Sequence, residues 1–125
     1  MENFYLRDKF IVKMRIVEGI ISRKELSELA QDLYGDMVKA VADVDRKVLA
    51  IDAELHSDLE RLLLESGSSQ NDLWGFNLYP EQEDEDFIEF DSLINIRPRQ
   101  KNMSRDVEDP EIRKAIVEIV NSHVK

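Results

Sequence analysis

Two different spacings of apolar residues follow one another along this chain, and their order restricts the fold more than any other feature of the sequence. Alternation of apolar and polar residues predicts strands, whereas apolar residues three and four positions apart predict amphipathic helices. The patterns predict strands at residues 10–17, 37–52 (a hairpin), 73–79 and 87–96, and helices at residues 22–34, 53–66 and 110–123. The order βαββαββα predicts an α+β domain with a four- to five-stranded mixed or antiparallel sheet and three helices mainly on one face. The first six elements have the order of a ferredoxin-like split βαβ unit.

Short-range signals predict where several of these elements begin and end. Ser22 and Glu25 have the spacing of a capping box at the start of the first helix, and Gly35 supplies the left-handed residue after its end. Asp109 followed by Pro110 is the expected start of the last helix.

The predicted hairpin also has a predicted register. If Asp45 and Arg46 form its turn, residues equally distant from the turn face each other, which places Ala42 opposite Leu49. A small residue would then lie beside a large one on the same face of the sheet.

Composition and cysteine content restrict the class of protein. The chain has 125 residues, and we expect residues 1–9 to be an N-terminal tail and residues 10–125 to form a single domain. There is no cysteine, which excludes disulfides and thiol catalysis, and two histidines are too few for a His-rich metal site. We therefore expect neither a metal nor another cofactor.

Charge and hydropathy restrict the partners. The formal net charge of −10 makes this an acidic protein and disfavours general nucleic-acid binding, because phosphate backbones repel such a surface. The N-terminus lacks the apolar stretch of a signal peptide, and no later stretch is long and apolar enough to span a bilayer. The sequence therefore predicts a cytoplasmic protein without a membrane partner.

Three stretches of the chain resemble a known family. They are GDMVKAVADVDRKVLAIDAELHSDLERLLL, GSSQNDLWGFNLYP and FDSLINIRPRQKNMSRDVEDPEIR, which lie between Gly35 and Arg113. These motifs are similar to those of a family of small uncharacterised prokaryotic proteins that is described only as a domain of unknown function. The resemblance implies membership of that family, and it implies no substrate, cofactor or catalytic residue.

One face of the predicted sheet is expected to stay uncovered by helices. Its polar members are Lys39, Asp43, Asn77, Tyr79, Glu89, Asp91, Asn95 and Arg97, and its apolar members are Val41, Leu73 and Leu93. In one interpretation this mixed face is the interface of a non-catalytic, homo-oligomeric interaction module, in the simplest case a homodimer. In the other, Glu89 and Asp91 are the paired carboxylates of a small hydrolase or acid–base enzyme, assisted by Asn95 and Arg97.

A basic run follows the last predicted strand. The candidates for binding an anion or a partner are Arg97, Arg99, Lys101 and Arg105, with Asn95, Asn77 and Lys39 as further donors. Guanidinium groups in a loop suit a phosphate or carboxylate ligand, whereas the acidic loop at residues 81–86 offers a partner of opposite charge. A strand over residues 87–96 would hold the two segments about 30 Å apart. We therefore expect the acidic loop of a second subunit, or an anionic small ligand, to meet the basic residues.

The second helix contains a histidine among acids. His56 lies one turn from Asp52 and from Glu60, and imidazole with carboxylates can bind a metal or transfer protons. These partners are too few for a closed metal site, so the sequence predicts a solvated acidic helix start with His56 at the edge of the core. Trp74 is predicted to lie in the core, and Gly75 indicates a bulge or the close approach of another segment.

Overall fold

The structure is a computed structural model that describes residues 2–7 and 10–125, with side chains from residue 14 onward. The strands are β1 (Glu2–Arg7), β2 (Phe10–Ile16), β3 (Val38–Asp43), β4 (Val48–Ile51), β5 (Leu73–Leu78) and β6 (Ile88–Glu89). They form one sheet in the order β1-β2-β4-β3-β5-β6, and each neighbouring pair is antiparallel. The helices are α1 (Arg23–Leu33), α2 (His56–Glu65) and α3 (Pro110–His123). The α+β class and the approximate order of its elements are confirmed.

The predicted helix starts at Ser22 and Asp109 are confirmed. The Ser22 hydroxyl accepts a hydrogen bond from the backbone N–H of Glu25 at 3.0 Å, and the Asp109 carboxylate accepts one from the N–H of Glu111 at 2.9 Å. Each bond satisfies a backbone donor that the first turn of a helix leaves without an intrahelical partner.

The register of the β3–β4 hairpin is confirmed, with Ala42 opposite Leu49. Its turn is stabilised by Asp43, whose Oδ1 accepts hydrogen bonds from the N–H groups of Asp45 and Arg46, both at 2.9 Å. The left-handed position that glycine often takes in hairpin turns is occupied by Lys47, with φ of 58°.

Both faces of the central strands β3, β4 and β5 are covered by helices. On the first face, α1 and α3 pack against alternate residues of β3, β4 and β5, including Trp74 and Phe76. On the second face, Leu59, Leu62 and Leu63 of α2 pack against the residues that point the other way. Trp74 is therefore in the core, as predicted.

The expected open face does not exist, and this is the main correction to the sequence interpretation. Val41 and Leu73, which were expected to form an exposed interface, are fully buried beneath α2. The apolar positions of this face lie at its centre and the polar ones at its margins, so alternation along each strand could not show that a helix covers the middle.

The ferredoxin-like order of the first six elements is confirmed, but the order of the strands in the sheet departs from it. β2 and β3 lie parallel on either side of β4, as in a split βαβ unit, whereas β5 pairs with β3 and not with β2, the first strand of that unit. The element order was right, but several sheet topologies share it.

The predicted long strand at residues 87–96 is replaced by the short β6 and a 3₁₀ turn at Leu93–Asn95. The chain leaves the sheet after Glu89, and the Asn95 side chain then pairs with Gly75 in place of a strand. The Gly75 N–H donates to Asn95 Oδ1 at 2.8 Å, and Asn95 Nδ2 donates to the Gly75 carbonyl oxygen at 2.9 Å. Ser92 lies so close that a Cβ on Gly75 would be 2.6 Å from its hydroxyl oxygen. The close approach predicted at Gly75 is confirmed.

Two boundaries differ from the prediction. Helix α2 begins at His56 rather than near residue 53, because the backbone of Leu55, the residue before it, is extended with φ of −129° and ψ of 142°. In the segment predicted as a tail, Glu2–Arg7 is a strand, and the rest of that segment, residues 1, 8 and 9, lies outside the described residues. Within the described residues, no helix has the length and apolar character needed to cross a membrane.

Candidate functional site

Five of the candidate residues gather with His56 where α2 begins. The members of this polar cluster are Lys39, His56, Asn77, Glu89, Asp91 and Arg105. Lys39 faces Asn77 across β3 and β5, and Asn77 faces Glu89 across β5 and β6. Asn77 Nδ2 donates to Glu89 Oε1 at 2.9 Å, and Arg105 Nε lies 2.5 Å from Asp91 Oδ1.

His56 forms the buried base of the polar cluster. Only 8% of its surface is exposed, and its Nε2 lies 2.8 Å from the carbonyl oxygen of Phe76. A carbonyl can only accept, so Nε2 carries the proton. Burial lowers the pKa of His56 to about 4, and the nearby positive charge of Lys39 contributes in the same direction. At neutral pH the ring is therefore uncharged, and Nδ1 holds a lone pair.

Asn77 is the second buried member of the polar cluster. Its Oδ1 is buried and has no hydrogen-bond partner among the described residues. An unpartnered buried acceptor is costly and uncommon in folded proteins. Asn77 lies close enough to His56 to affect its pKa, so a proton on Nδ1 would give this oxygen a donor.

Lys39 and Tyr79 border the cluster. Burial lowers the pKa of Lys39, while the negative charge of Asp91 raises it. Burial raises the pKa of Tyr79 to about 12, and the hydrogen bond from its hydroxyl to Glu89 Oε1 at 3.0 Å adds to that rise. Tyr79 is thus a hydrogen-bond donor at neutral pH.

The polar cluster combines groups that can exchange protons. His56 Nδ1 can accept a proton, the Lys39 ammonium can donate one, and carboxylates lie beside both. Glu89 and Arg105 are exposed, so the cluster lies at the surface above its buried base. Within the described part of the chain, no group of three or more acids and histidines is arranged to hold a metal ion.

The side chains of Asn95 and Arg97 bind backbone groups and not the side chains of the polar cluster; Asn95 Nδ2 donates to the carbonyl oxygens of Gly75 and Arg105. Arg97 donates to the carbonyl oxygens of Leu73 and Ile94, and its guanidinium lies 4.6 Å from the centre of the Trp74 ring. With Asn95 it closes the part of the β5 edge that β6 leaves uncovered. These two residues were grouped with Glu89 and Asp91 only because a continuous strand was expected.

The remaining basic candidates lie on a short hairpin. Arg97 and Asn102 form an antiparallel bridge, with N–H to carbonyl distances of 2.7 and 3.1 Å. We call residues 97–102 the basic hairpin. Arg99 and Lys101 at its tip are exposed, and neither forms an ion pair within residues 14–125.

Asn102 belongs to the basic run, where the sequence suggested a neutral donor for an anion, but its structural role was not predicted. Its Nδ2 donates to the carbonyl oxygens of Asn95 at 2.8 Å and of Asp106 at 2.7 Å, and its Oδ1 accepts from Glu108 N–H at 2.9 Å. It therefore fixes the base of the basic hairpin. No local pattern distinguishes it, because its partners lie in turns that the sequence did not predict.

A family model for proteins of unknown function matches residues 15–123. The chain belongs to the DUF5674 family. The match includes the polar cluster and the basic hairpin, and it confirms the family resemblance seen in the sequence. No curated protein and no solved structure matches the chain.

This DUF5674 chain has a further surface feature that the sequence did not predict. A groove of about 750 Å³ lies between the start of α1, the outer side of α3 and the segment around β6. Its floor contains Phe87 and Phe90, with the guanidinium groups of Arg23 and Arg113 at 3.9 and 4.9 Å from the respective ring centres. It becomes visible only when three segments distant in sequence are brought together.

Proposed function

We propose that the protein is a non-catalytic interaction module that forms a homodimer, in which the basic hairpin of one subunit meets the acidic loop (residues 81–86) of the other. The observation that carries the proposal is that these two exposed segments of opposite charge lie at opposite ends of β5. Within residues 14–125, the acids of the loop form no ion pair, and neither do Arg99 and Lys101.

The separation within one subunit follows from the length of β5. Arg97 holds the basic hairpin at Leu73, where β5 begins, and the acidic loop starts just after Pro80. At about 3.3 Å per residue the two segments are roughly 20 Å apart. Charges in solution are largely screened beyond about 8 Å at physiological ionic strength. A second copy would bring the two segments together.

The proposal concerns only part of the basic run. Arg105 already pairs with Asp91 at 2.5 Å, and Arg97 lies 3.8 Å from Glu60. Arg99 and Lys101 are the two cations of the run that remain without an acid among the described residues.

Exposed apolar side chains flank these two cations. Leu93 is 67% exposed, Met103 66% and Ile96 43%. Apolar side chains grouped beside unpaired charges are typical of a surface that binds a partner.

The test is sedimentation equilibrium of charge-reversal variants. Arg99→Glu with Lys101→Glu should raise the dimer dissociation constant about tenfold or more, because like charges would then face each other. The matched control is Arg61→Glu with Lys125→Glu, exposed cations on α2 and after the end of α3. Both variants have a formal net charge of −14, since each of the two substitutions subtracts two charges from −10. General repulsion is therefore equal in the two.

The complementary variant, Asp84→Lys with Glu85→Lys, should associate with the Arg99→Glu, Lys101→Glu chain and restore the dimer. A wild-type chain that remains monomeric at high concentration would refute the proposal. So would a hairpin variant that stays dimeric but loses binding of inorganic phosphate, which would identify the basic hairpin as an anion site.

A second candidate function is acid–base catalysis at the polar cluster, favoured by the uncharged His56 beside Lys39. The carboxylates of Glu89 and Asp91 are in place for it, although Asn95 and Arg97 are not. Hydrolysis of p-nitrophenyl acetate and p-nitrophenyl phosphate can test this function. A rate above that of the buffer should fall in Glu89→Gln and in Asp91→Asn. Equal rates in wild type and both variants would exclude these carboxylates from any such activity.

A further inference from the structure

We infer that the groove between α1, α3 and β6 is the receptor for the basic hairpin of a second copy, with the partner's Met103 side chain resting against Phe90 and Val117. The inference rests on the proposed homodimer, and it adds the surface that receives the hairpin and the side chains that make the contact.

The groove has the size and the floor of a docking site. Its volume of about 750 Å³ holds several side chains, and the half-buried Phe90 gives it an aromatic lining. Phe87 lies deeper, buried beneath the Arg23 guanidinium. Val117 of α3 lines one side and is 37% exposed, so apolar surface faces solvent there. An occupant with apolar side chains would remove this surface from water.

The charges around the groove favour a basic occupant. Asp84 and Glu85 of the acidic loop line the groove and are exposed. Of the two arginines, Arg113 is balanced by Asp106, to which its Nη2 donates at 2.5 and 2.7 Å. Arg23 is held by the carbonyl oxygens of Pro80 and Gln82 at 3.1 and 3.0 Å. Two acids thus face one unbalanced cation, which disfavours an anionic ligand.

The basic hairpin has the complementary chemistry. Arg99 and Lys101 supply two cations without acids, and Met103 follows directly after the hairpin with two-thirds of its surface exposed. Methionine is flexible and its sulfur makes favourable contacts with aromatic rings, so it suits an irregular groove with a phenylalanine floor.

The occupant is a second copy because both complementary parts belong to the same chain. The base of the hairpin adjoins the Arg113 side of its own groove, because Asp106 contacts both Asn102 and Arg113. The acidic side of the groove lies at the other end of β5, so one subunit cannot bring its own Arg99 and Lys101 to its own Asp84 and Glu85. A two-fold axis would let two subunits make both contacts at once, which closes the dimer and leaves no groove free for further copies.

The absence of cysteine from the chain allows a direct test. Chains with Met103→Cys are mixed with mass-tagged chains carrying Val117→Cys and oxidised with copper–phenanthroline. We expect the mixed disulfide to form about tenfold faster than with a Leu64→Cys chain, a contrast equivalent to about 1.4 kcal/mol. Leu64 is a matched control because it is 41% exposed, close to Val117, but lies on α2 on the opposite face of the sheet.

Sedimentation of the same wild-type protein separates this inference from the proposed function. If the wild type is a dimer but the Val117→Cys and Leu64→Cys chains react at equal rates, the hairpin docks elsewhere and only the groove inference falls. If the wild type is a monomer, both fall. In support of the groove, Val117→Glu should weaken the dimer and Leu64→Glu should leave it unchanged; the reverse result would overturn the inference.

Discussion

The buried imidazole of His56 makes the stability of the fold depend on pH in a way that one substitution should remove. The pKa of an exposed histidine is 6.5, and burial lowers that of His56 to about 4. Because the folded value is the lower one, the unfolded chain binds the proton first as the pH falls. The stability that the uncharged ring provides is therefore complete above pH 6.5 and is lost progressively toward pH 4.

The magnitude follows from the two pKa values. One pH unit corresponds to about 1.36 kcal/mol, so the gap between 6.5 and about 4 amounts to about 3 kcal/mol. His56→Gln replaces the imidazole with an amide that does not titrate and that retains an N–H donor for the Phe76 carbonyl. Carboxylates also titrate in this range, but they do so in both proteins, and the difference between the two isolates His56.

The assay is urea unfolding at pH 7 and at pH 4, with the free energy of unfolding compared at the two values. We expect the wild type to lose about 3 kcal/mol more than His56→Gln over this interval. His123→Gln is the matched control, because the chain has only two histidines and this one lies at the end of α3. Wild type and His56→Gln with the same pH dependence would refute a buried, uncharged His56.

Two further predictions concern the backbone. Gly75→Ala should lower the free energy of unfolding by about 1–3 kcal/mol, since its Cβ would lie 2.6 Å from the Ser92 hydroxyl oxygen. Adding Ser92→Gly to the same chain should recover part of the loss. Equal unfolding midpoints for Gly75→Ala and wild type would show that the segment around Ser92 moves away freely. Ser22→Ala should cost about 1 kcal/mol through loss of the hydrogen bond to Glu25 N–H, and thermal unfolding unchanged by that substitution would contradict a capping role.

The elements predicted correctly depend on residues close together in sequence. The start of α1 depends on Ser22 and Glu25, three positions apart. The turn after β3 is stabilised by Asp43, which accepts from the N–H groups of Asp45 and Arg46. Such contacts form in almost any tertiary context, so the sequence alone predicts them.

The elements predicted wrongly depend on contacts between distant segments. The apolar alternation at residues 88–96 fits a strand, yet Asn95 pairs with Gly75 twenty positions away and ends the strand early. Leu59 and its neighbours on α2 fit either face of a sheet, and the choice follows from which face the chain reaches after β4.

The polar cluster was predicted in part. Five of its six members were named, because period-two alternation places Lys39, Asn77 and Glu89 on one face whether or not the strand continues. His56 was missed as a member, since a helix packed on that face was not expected. Arg97 was included wrongly, as its position followed from the long strand.

The pairing between Asn95 and Gly75 has a consequence for the ageing of the protein. All six residues of β5 are buried, and beyond its two pairs with β6 the outer edge of this strand is closed by side chains rather than by another strand. Replacement of Asn95 by aspartate would turn the donor that faces the Gly75 carbonyl into an acceptor, and the two oxygens would repel. An apolar strand edge released in this way is a template for intermolecular pairing. We therefore expect Asn95→Asp protein to form thioflavin-positive fibrils sooner than wild type, so that one amide group sets how long the folded chain resists amyloid.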